Sequence, residues 1–253
     1  MANPYGPLCT EFYALDKPTA PPDAFDFYLA YAQQAKGPIL EPMCGTGRFL
    51  LPLLEQGFDV EGLDYSKDML AVCRSLAADR GLAPVLHQRS IDELPRERQF
   101  ALVFIPLGSF SLLTDGAVVQ KSLRTIHDAL LPGGTFAVEV ERMQTLSTTT
   151  TSGTWGGRWL ERPDGAKLVI SWLSQYSASE GISRSLHRYE LIQRGELVAT
   201  EFEDFELRVY EPAAFEALLA EAGFSDIQRF KPYAPEPPDD SDEAIVFVAR
   251  KSL

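Results

Sequence analysis

Cysteine is scarce in this chain of 253 residues, where it occurs three times, at Cys9, Cys44 and Cys73. The separations between these cysteines match no common zinc-ligand spacing, so no metal site is expected. Three thiols cannot all pair within one chain, and free thiols are typical of a reducing compartment. We therefore expect a cytoplasmic protein with unpaired cysteines.

Positive charge is also in short supply. The chain has 23 lysines and arginines against 36 aspartates and glutamates, which gives a formal net charge of −13. A surface of that sign repels phosphate backbones and anionic lipid headgroups, and the arginines are scattered along the sequence. The composition thus argues against nucleic acid and membrane surfaces as partners.

Long apolar runs are missing as well. The segment "FALVFIPLGSFSLL" contains a proline, a glycine and serines, and it is shorter than the roughly 20 residues that a transmembrane helix needs. The N-terminal stretch "MANPYGPLCTEFY" has no basic region followed by an apolar one, so no signal peptide is predicted. Apolar residues still make up 45% of the chain, enough for a folded core.

Short apolar runs alternate with helical patterns in the first 142 residues. The runs that predict strands are "ILE", "DVEGLD", "PVLHQ", "FALVFI" and "TFAVEV". Ser66 is placed to cap the helix that follows it, and another helix is predicted to begin at Asp115. The same pattern returns after residue 211, with one helix and the strands "DIQRF" and "AIVFVARK". Such alternation predicts an α/β fold with a doubly wound, mostly parallel sheet.

The pattern is different between residues 143 and 210. A polar, threonine-rich segment with Thr148–Thr151 at its centre predicts a loop. Three runs with period-2 alternation follow it: "KLVISWLSQY", "ISRSLHRYELIQ" and "ELVATEFEDFELRVY". Because their connections are short and contain glycine, we predict an antiparallel β-meander. Residues 143–210 are thus interpreted as an insert in a core formed by residues 1–142 and 211–253.

The stretch from Ile39 to Ser66 reads as a strand, a glycine-containing turn, a helix, a second strand and an acid. This order is typical of a site for an adenosine-containing cofactor, because glycines let the backbone approach the ligand. Gly45 and Gly47 fit the dinucleotide-binding pattern, but Leu50 occupies the place of its third glycine. An NAD(P) site and a plain β–α connection without a nucleotide are the alternatives.

Five segments in series carry a resemblance to a known family. They are "LEPMCGTGRF", "VEGLDYSKDML", "RSIDELP", "FALVFIPLGSFSLL" and "LRTIHDALLPGGTFAVEV". In this order they resemble the motifs of class I S-adenosylmethionine-dependent methyltransferases, over roughly residues 37–141. The resemblance implies a Rossmann-like seven-stranded sheet of order 3-2-1-4-5-7-6 and S-adenosyl-L-methionine as cofactor. One departure is Met43, which stands where the family usually has its first glycine.

The resemblance also implies roles for individual residues. Glu41 would accept from the α-ammonium of the cofactor, Asp64 would bind the ribose hydroxyls, and Leu107 would lie near the transferred methyl. Tyr13, from a segment similar to the family's N-terminal one, would reach over the cofactor, and Ser90 with Ile91, rather than Asp92, would contact the adenine edge. The remaining predicted cofactor contacts are Met43, Gly45, Thr46, Gly47, Tyr65 and Met69.

The predicted meander is similar to the insert of small-molecule methyltransferases such as sugar N,N-dimethyltransferases, where it covers the substrate site. This resemblance implies a small acceptor methylated on nitrogen or oxygen, and a monomer or homodimer. The candidate catalytic residues are Tyr13, His187 and Tyr189. The candidates for contact with the substrate are Trp155, His187 and Tyr189. A cofactor-binding protein without transfer activity and an NAD(P)-dependent oxidoreductase are the other hypotheses.

The predicted ribose contact depends on Asp64. We expect Asp64→Ala to weaken the binding of S-adenosylhomocysteine about tenfold or more, because hydrogen bonds to a charged group each contribute about 1.5–3 kcal/mol. The fold should stay intact. Calorimetric titration measures the affinity, and circular dichroism checks the fold. An unchanged affinity would contradict the placement of the ribose.

Overall fold

The structure is a computed structural model, and it describes residues 5–95, 98–142, 154–177 and 180–253, apart from the side chains of residues 176 and 177. The threonine run at 148–151, predicted to lie in a loop, falls outside these residues. The helices are α1 (Pro7–Asp16), α2 (Pro22–Gln34), α3 (Leu50–Glu55), α4 (Lys67–Asp79), α5 (Gly116–Ala129) and α6 (Pro212–Glu221). Single turns of 3₁₀ helix occur at Ile91–Glu93 and Ser109–Leu112.

The strands form two separate sheets. Those of the larger sheet are β1 (Ile39–Pro42), β2 (Val60–Asp64), β3 (Val85–Gln88), β4 (Phe100–Ile105), β5 (Leu130–Glu141), β10 (Phe224–Phe230) and β11 (Ala244–Lys251). Those of the smaller sheet are β6 (Gly156–Glu161), β7 (Lys167–Ser177), β8 (Ile182–Gln193) and β9 (Glu196–Arg208).

The seven-stranded sheet has the order β10-β11-β5-β4-β1-β2-β3. Strands β1 to β5 pair in parallel, and β11 is antiparallel to both of its neighbours. The two final strands thus occupy the positions predicted for the sixth and seventh, and the predicted fold class is confirmed. Because β1, β2, β4 and β5 are parallel, their carboxyl ends meet at one edge of the sheet.

Two apolar layers cover this sheet. One lies between the sheet and helices α5 and α6, and includes Val103, Ile126 and Phe215. The other lies between the sheet and helices α2, α3 and α4, and includes Tyr28 and Phe104. Neighbouring residues of a strand enter opposite layers, as side-chain alternation requires. The position of a polar residue along its strand therefore decides which of the two layers its side chain faces.

The predicted helix cap at Ser66 is confirmed, and Asp115 caps the helix that was predicted to begin there. The hydroxyl of Ser66 accepts a hydrogen bond from the amide of Met69 at the start of α4. The carboxylate of Asp115 accepts from the amides of Ala117 and Val118 at the start of α5. Such caps satisfy amides that have no partner inside the helix, and each contributes about 1 kcal/mol. The cap of α4 also fixes the backbone directly after Asp64.

The smaller sheet is an antiparallel meander of order β6-β7-β8-β9. The sequence predicts only its last three strands, and the predicted polar loop includes Gly156 and Gly157. The loop prediction is wrong for these two residues, because Gly156–Glu161 pairs with β7 along its whole length. Two glycines begin this segment and hide its alternation, and Gly156 is required there because a Cβ would lie 2.6 Å from the ring of Trp172.

Helix α1 has no counterpart in the sequence prediction. Its buried residues Cys9 and Phe12 pack on Leu168 and Tyr189 of the meander. At its start, the hydroxyl of Ser66 donates to the backbone oxygen of Tyr5 at 3.1 Å, which joins the N-terminal segment to the core domain. Helix α1 therefore lies between the two sheets and contacts both parts of the protein.

Two glycines give a matched test of packing at β2. A Cβ on Gly62 would lie 2.8 Å from Leu50 and 2.9 Å from both Cys44 and Leu86, all in the core. We expect Gly62→Ala to lower the free energy of unfolding by about 1–3 kcal/mol, the usual cost of overpacking. A Cβ on Gly116, at the start of α5, would meet no atom of another element within 4 Å. Chemical denaturation should show Gly116→Ala to be neutral or stabilising by up to about 1 kcal/mol, and equal losses in both variants would contradict this account.

Candidate active site

The carboxylate of Asp64 ties the glycine turn after β1 to the end of β2. The amide of Gly45 donates to its Oδ2 at 2.8 Å, and the amide of Ser66 donates to its Oδ1 at 2.8 Å. Burial raises the pKa of Asp64, and the hydrogen bonds from Ser66 and Gly45 oppose that rise. Each carboxylate oxygen has a further lone pair, so Asp64 can hold the turn and accept from two ribose hydroxyls.

The turn itself has the left-handed backbone that such a site needs. Met43, Gly45 and Gly47 have φ angles of 61°, 54° and 83°. Met43 therefore adopts the conformation of the glycine that it replaces, at a cost in strain typical of functional sites. A Cβ on Gly47 would lie 2.6 Å from Cys73, whereas one on Gly45 would meet only Met69, at 4.0 Å. The backbone of Gly45 thus borders open space that a ligand can fill.

Glu41 is buried at the end of β1, with 2% of its surface exposed. Burial raises the pKa of Glu41 well above its usual range, although the nearby Arg48 guanidinium and the amide of Leu50 oppose that rise. Its Oε2 has no hydrogen-bond partner among the described residues. A buried acceptor without a donor is unfavourable by about 1–3 kcal/mol. An ammonium group of a ligand would supply the missing donor.

Tyr13 lies beside this turn at the end of α1. Arg48, the residue after Gly47, donates to the Tyr13 hydroxyl at 2.6 Å and lies 5.0 Å from the centre of its ring. Tyr5 packs edge-on against the same ring, with 6.3 Å between centroids. The predicted position of Tyr13 next to the cofactor turn agrees with these contacts. Arg48, which binds the Tyr13 hydroxyl, was not predicted as a site residue.

The residues predicted to contact the adenine lie at α4 and at the 3₁₀ turn at Ile91–Glu93. Met69 is buried below Gly45, and Tyr65 is 50% exposed. Ser90 immediately precedes the 3₁₀ turn, and Ile91 is buried in it. Asp92 forms an ion pair with Lys121 of α5 at 2.7 Å, so its carboxylate points to that helix and is not a free acid for the cofactor.

Several independent features of this turn therefore fit S-adenosylmethionine. The free Oε2 of Glu41 suits an ammonium, Asp64 suits vicinal hydroxyls, and the open side of Gly45 admits the ligand. Thr46, the remaining predicted contact in this turn, is buried. When bound, this cofactor supplies an activated methyl group on sulfur, and the residues of the chain bind and orient it.

Comparison with known proteins agrees with this geometry. Residues 39–134 match a family model described as a methyltransferase domain. A protein of Geobacillus sp. (strain WCH70) is 26% identical to this chain, over 92% of this chain and 94% of that protein. Its name describes it as an inferred methyltransferase. An S-adenosylmethionine-dependent methyltransferase of Clostridium acetobutylicum has a TM-score of 0.79 at 18% identity, over 96% of this chain and 97% of that chain.

The chain thus contains a methyltransferase domain over residues 39–134, and it has the fold of an S-adenosylmethionine-dependent methyltransferase. A more specific relative is a dTDP-3-amino-3,6-dideoxy-α-D-glucopyranose N,N-dimethyltransferase of Streptomyces fradiae. It is 33% identical over 101 residues, which are 40% of this chain and 38% of that protein. The similarity to that relative thus concerns less than half of this chain.

The turn after β4 lies at the same edge of the sheet as the turn after β1, and it is predicted to form another wall of the site. Leu107 and Gly108 are both left-handed, with φ angles of 55° and 67°. The amide of Leu107 and the hydroxyl of Tyr233 both donate to the carboxylate of Glu139 on β5. This buried acid therefore fixes the turn at which the transferred methyl is predicted to lie.

Glu139 and Glu141 were not identified from the sequence. Both are acids at the end of an otherwise apolar strand, in the segment "TFAVEVE". Acids in such a strand are informative, because buried carboxylates are rare unless they are hydrogen-bonded or functional. Since the carboxyl end of β5 lies at the same edge as those of β1 and β2, this signal could have placed both acids at the site.

Tyr189 lies in the contact between α1 and the meander. It is 5% exposed, its ring lies 6.0 Å from that of Phe12, and its hydroxyl donates to Glu203 at 3.3 Å. His187, on the same strand face, stacks on Phe205 with 4.8 Å between ring centroids. These contacts favour a structural role for Tyr189, because its ring is packed and its hydroxyl is already bound. The catalytic role of His187 stays a prediction.

Two tryptophans near β6 are exposed on the meander. Trp155 is 48% exposed and lies 5.4 Å from the guanidinium of Arg188. Trp159 is 53% exposed and is covered in part by Lys167. Arg188 lies on the opposite face of β8 from Tyr189, so Trp155 is on the face turned away from α1. The position of Trp155 thus speaks against a contact with the substrate.

Acids of β9 hold the start of α1. The carboxylate of Glu201 accepts from the amides of Leu8 and Cys9 at 2.9 and 3.2 Å, and that of Glu203 accepts from the amide of Tyr5 at 3.1 Å. Unpaired amides at a helix N-terminus bind carboxylates well, since charge and hydrogen bonding act together. The meander therefore positions the helix that carries Tyr13 to the cofactor turn.

The pH dependence of stability tests the buried state of Glu139. Burial raises its pKa from the usual 4.5 to about 7. A carboxyl with a raised folded-state pKa stabilises the fold below its unfolded pKa, and this contribution is lost as the pH rises through the folded-state value. Between pH 4.5 and 7.5 the free energy of unfolding of the wild type should fall by up to about 3 kcal/mol because of this group. Glu139→Gln should abolish this fall, since its side chain does not titrate. Denaturation at several pH values measures the effect.

A matched control for this experiment is Glu196→Gln, which changes an exposed glutamate at the start of β9. It should leave the pH profile of the wild type unchanged. If Glu139→Gln also shows the wild-type profile, the carboxyl of Glu139 is not the group that titrates in this range, and the account of the turn after β4 is wrong.

Proposed function

We propose that this methyltransferase transfers the methyl group of S-adenosylmethionine to a nitrogen or oxygen atom of a small molecule. The observation that carries the proposal is the position of α1. This helix is bound to the meander through Glu201 and to the cofactor turn through Tyr13 and Arg48. It therefore covers the carboxyl edge of the sheet, where the methyl group is predicted to lie.

A covered site suits the chemistry of methyl transfer. The nucleophile must approach the methyl carbon in line with the bond to sulfur, and holding the reactants in this geometry can contribute several kcal/mol. Excluding water also prevents loss of the activated methyl group. A roof made of a helix and a meander leaves space for a small acceptor, whereas a polymer would need an open groove.

Charge supports the same choice of substrate. The net charge of −13 disfavours association with DNA or RNA. The turn after β4 reads "IPLGSF", without the Asn/Asp-Pro-Pro-aromatic pattern of enzymes that methylate nucleobase nitrogens. No helix in the described part of the chain is long and apolar enough to cross a membrane. These observations favour a dissolved metabolite over a polymer or a lipid.

An amino sugar linked to a nucleotide is the first acceptor to test. The Streptomyces fradiae relative is named for an N,N-dimethyltransferase reaction on such a sugar. Residues 143–210 are proposed as the insert that covers the acceptor, within a core of residues 1–142 and 211–253. The three cysteines are unpaired and buried, which agrees with the proposed cytoplasmic location. A monomer or a homodimer is proposed as the working form.

Two alternatives have specific observations against them. A binding protein without transfer activity was suggested by Met43, but the backbone there keeps the left-handed conformation of the missing glycine. The acid pair of Glu41 and Asp64 is also intact. For an NAD(P)-dependent oxidoreductase, the third glycine of the dinucleotide pattern is replaced by Leu50, which is fully buried at the start of α3.

Transfer of a labelled methyl group tests the proposal. We expect the protein to methylate members of a panel of small amines and matched alcohols that includes dTDP-3-amino-3,6-dideoxyglucose. Asp64→Ala, assayed at the same cofactor concentration, should lose most of this transfer because the cofactor binds less tightly. Binding of S-adenosylhomocysteine without transfer to any panel member would favour the non-catalytic alternative, and binding of NADH instead would favour the oxidoreductase.

A further inference from the structure

Four acids lie on one side of the large sheet at its carboxyl edge. Glu41 on β1 and Asp64 on β2 face the layer of helices α2, α3 and α4, since they alternate with residues that face the other layer. Glu139 and Glu141 on β5 face the same side, because Ala137, two residues before Glu139, packs in that layer. The first two acids belong to the cofactor site, and Glu139 holds the turn at Leu107.

Glu141 lies on the far side of the methyl-facing turn from the cofactor acids. Across the sheet the order is β2, β1, β4 and β5. Asp64 and Glu41 end the first two of these strands, the Leu107–Gly108 turn follows β4, and Glu141 ends β5. A cofactor bound over β1 and β2 therefore directs its methyl toward β4, and the next position across the edge belongs to the acceptor.

The carboxylate of Glu141 is held against that turn. A Cβ built on Gly108 would lie 2.7 Å from Glu141 Oε1, so the acid occupies the space that the missing side chain leaves. The side chain is half-buried. Among the described residues no donor forms a hydrogen bond to its carboxylate, in contrast to Asp64 and Glu139. Its acceptor capacity is thus available to a ligand.

The nearby charges place Glu141 in the same cleft as Tyr13. Lys17 interacts with Glu141 electrostatically and lies 5.4 Å from the centre of the Tyr13 ring. Glu243, just before β11, repels Glu141, and Glu139 and Tyr233 also interact with it electrostatically. Acids outnumber the single lysine around this position, which favours a cationic ligand over an anionic one.

We propose that Glu141 binds the amino group of the acceptor as an ammonium ion and removes its proton before methyl transfer. This assignment rests on the proposed function, and it narrows the acceptor to a small primary or secondary amine. A carboxylate is suited to both tasks, because it accepts charge-assisted hydrogen bonds from the ammonium and can then take up one of its protons.

The reaction balances without any further reactant. One proton passes from the ammonium nitrogen to an oxygen of Glu141, which leaves a neutral amine with a free lone pair. This lone pair forms the new bond to the methyl carbon as the bond from carbon to sulfur breaks, and its electron pair stays on sulfur. The products are a methylated ammonium ion and the neutral thioether, and Glu141 then releases its proton to water.

The electrostatics around Glu141 agree with such proton transfer. Burial raises the pKa of Glu141, the repulsion from Glu243 adds to that rise, and Lys17 opposes it. A higher pKa brings the carboxyl closer to the proton affinity of an amine, which makes it a better base. Since the base must be ionised, kcat/KM for an amine should rise with pH through this pKa.

The test uses Glu141→Gln, which keeps the shape of the side chain beside Gly108 and removes its charge. With labelled S-adenosylmethionine and the panel of amines and matched alcohols, we expect kcat/KM for amines to fall about 100-fold, a typical contribution of a general base. The rise of kcat/KM with pH should shift to the pKa of the free amine. Glu141→Asp should restore part of the rate, and Glu196→Gln, an exposed change on the meander, should match the wild type.

The outcomes separate this inference from the function on which it rests. Affinity for S-adenosylhomocysteine should be unchanged in Glu141→Gln, which excludes a damaged cofactor site as the cause of the loss. Wild-type rates and pH profile in Glu141→Gln would overturn the role of Glu141 alone. Methylation of alcohols but of no amine would overturn the acceptor class, and an absence of transfer in the wild type would overturn the proposed function together with this inference.

Discussion

The site depends on the hydrogen bonds from the Gly45 and Ser66 amides to the carboxylate of Asp64. They join the turn after β1 to the end of β2, so the backbone that is predicted to face the cofactor and the acid that is predicted to bind its ribose are held together. The strain of the left-handed Met43 is tolerated because the chain is fixed on both sides of it. Without this link the turn would have no defined position relative to the helices that follow.

The second constraint is the one-sided placement of acids at the edge of the sheet. Parallel strands bring their carboxyl ends together, and alternation along each strand decides which layer a side chain enters. Glu41, Asp64, Glu139 and Glu141 therefore share one side without any sequence proximity between the two pairs. Burial raises the pKa of each of them, so the edge concentrates groups whose charge responds to a cationic ligand.

Local sequence information was sufficient for much of this architecture. The cap at Ser66 and the start of a helix at Asp115 follow from local patterns, and the strand order follows from the family resemblance that five short motifs carry. Helix α1 was missed because its stability comes from acids of β9 far along the chain, and β6 because glycines hide its alternation. The alternation of residues along β8 correctly predicts which side chains share a face of the strand. Only the contact between Phe12 and Tyr189 shows which of the two faces α1 covers.

The capping of α1 by β9 has a consequence for biosynthesis. The amides of Leu8 and Cys9 find their acceptors 193 and 192 residues later, in Glu201. Contacts of such separation form late, since a long loop must first be closed. During translation these hydrogen bonds can form only after β9 has left the ribosome. The amides at the start of α1 therefore lack these acceptors while most of the chain is being synthesised.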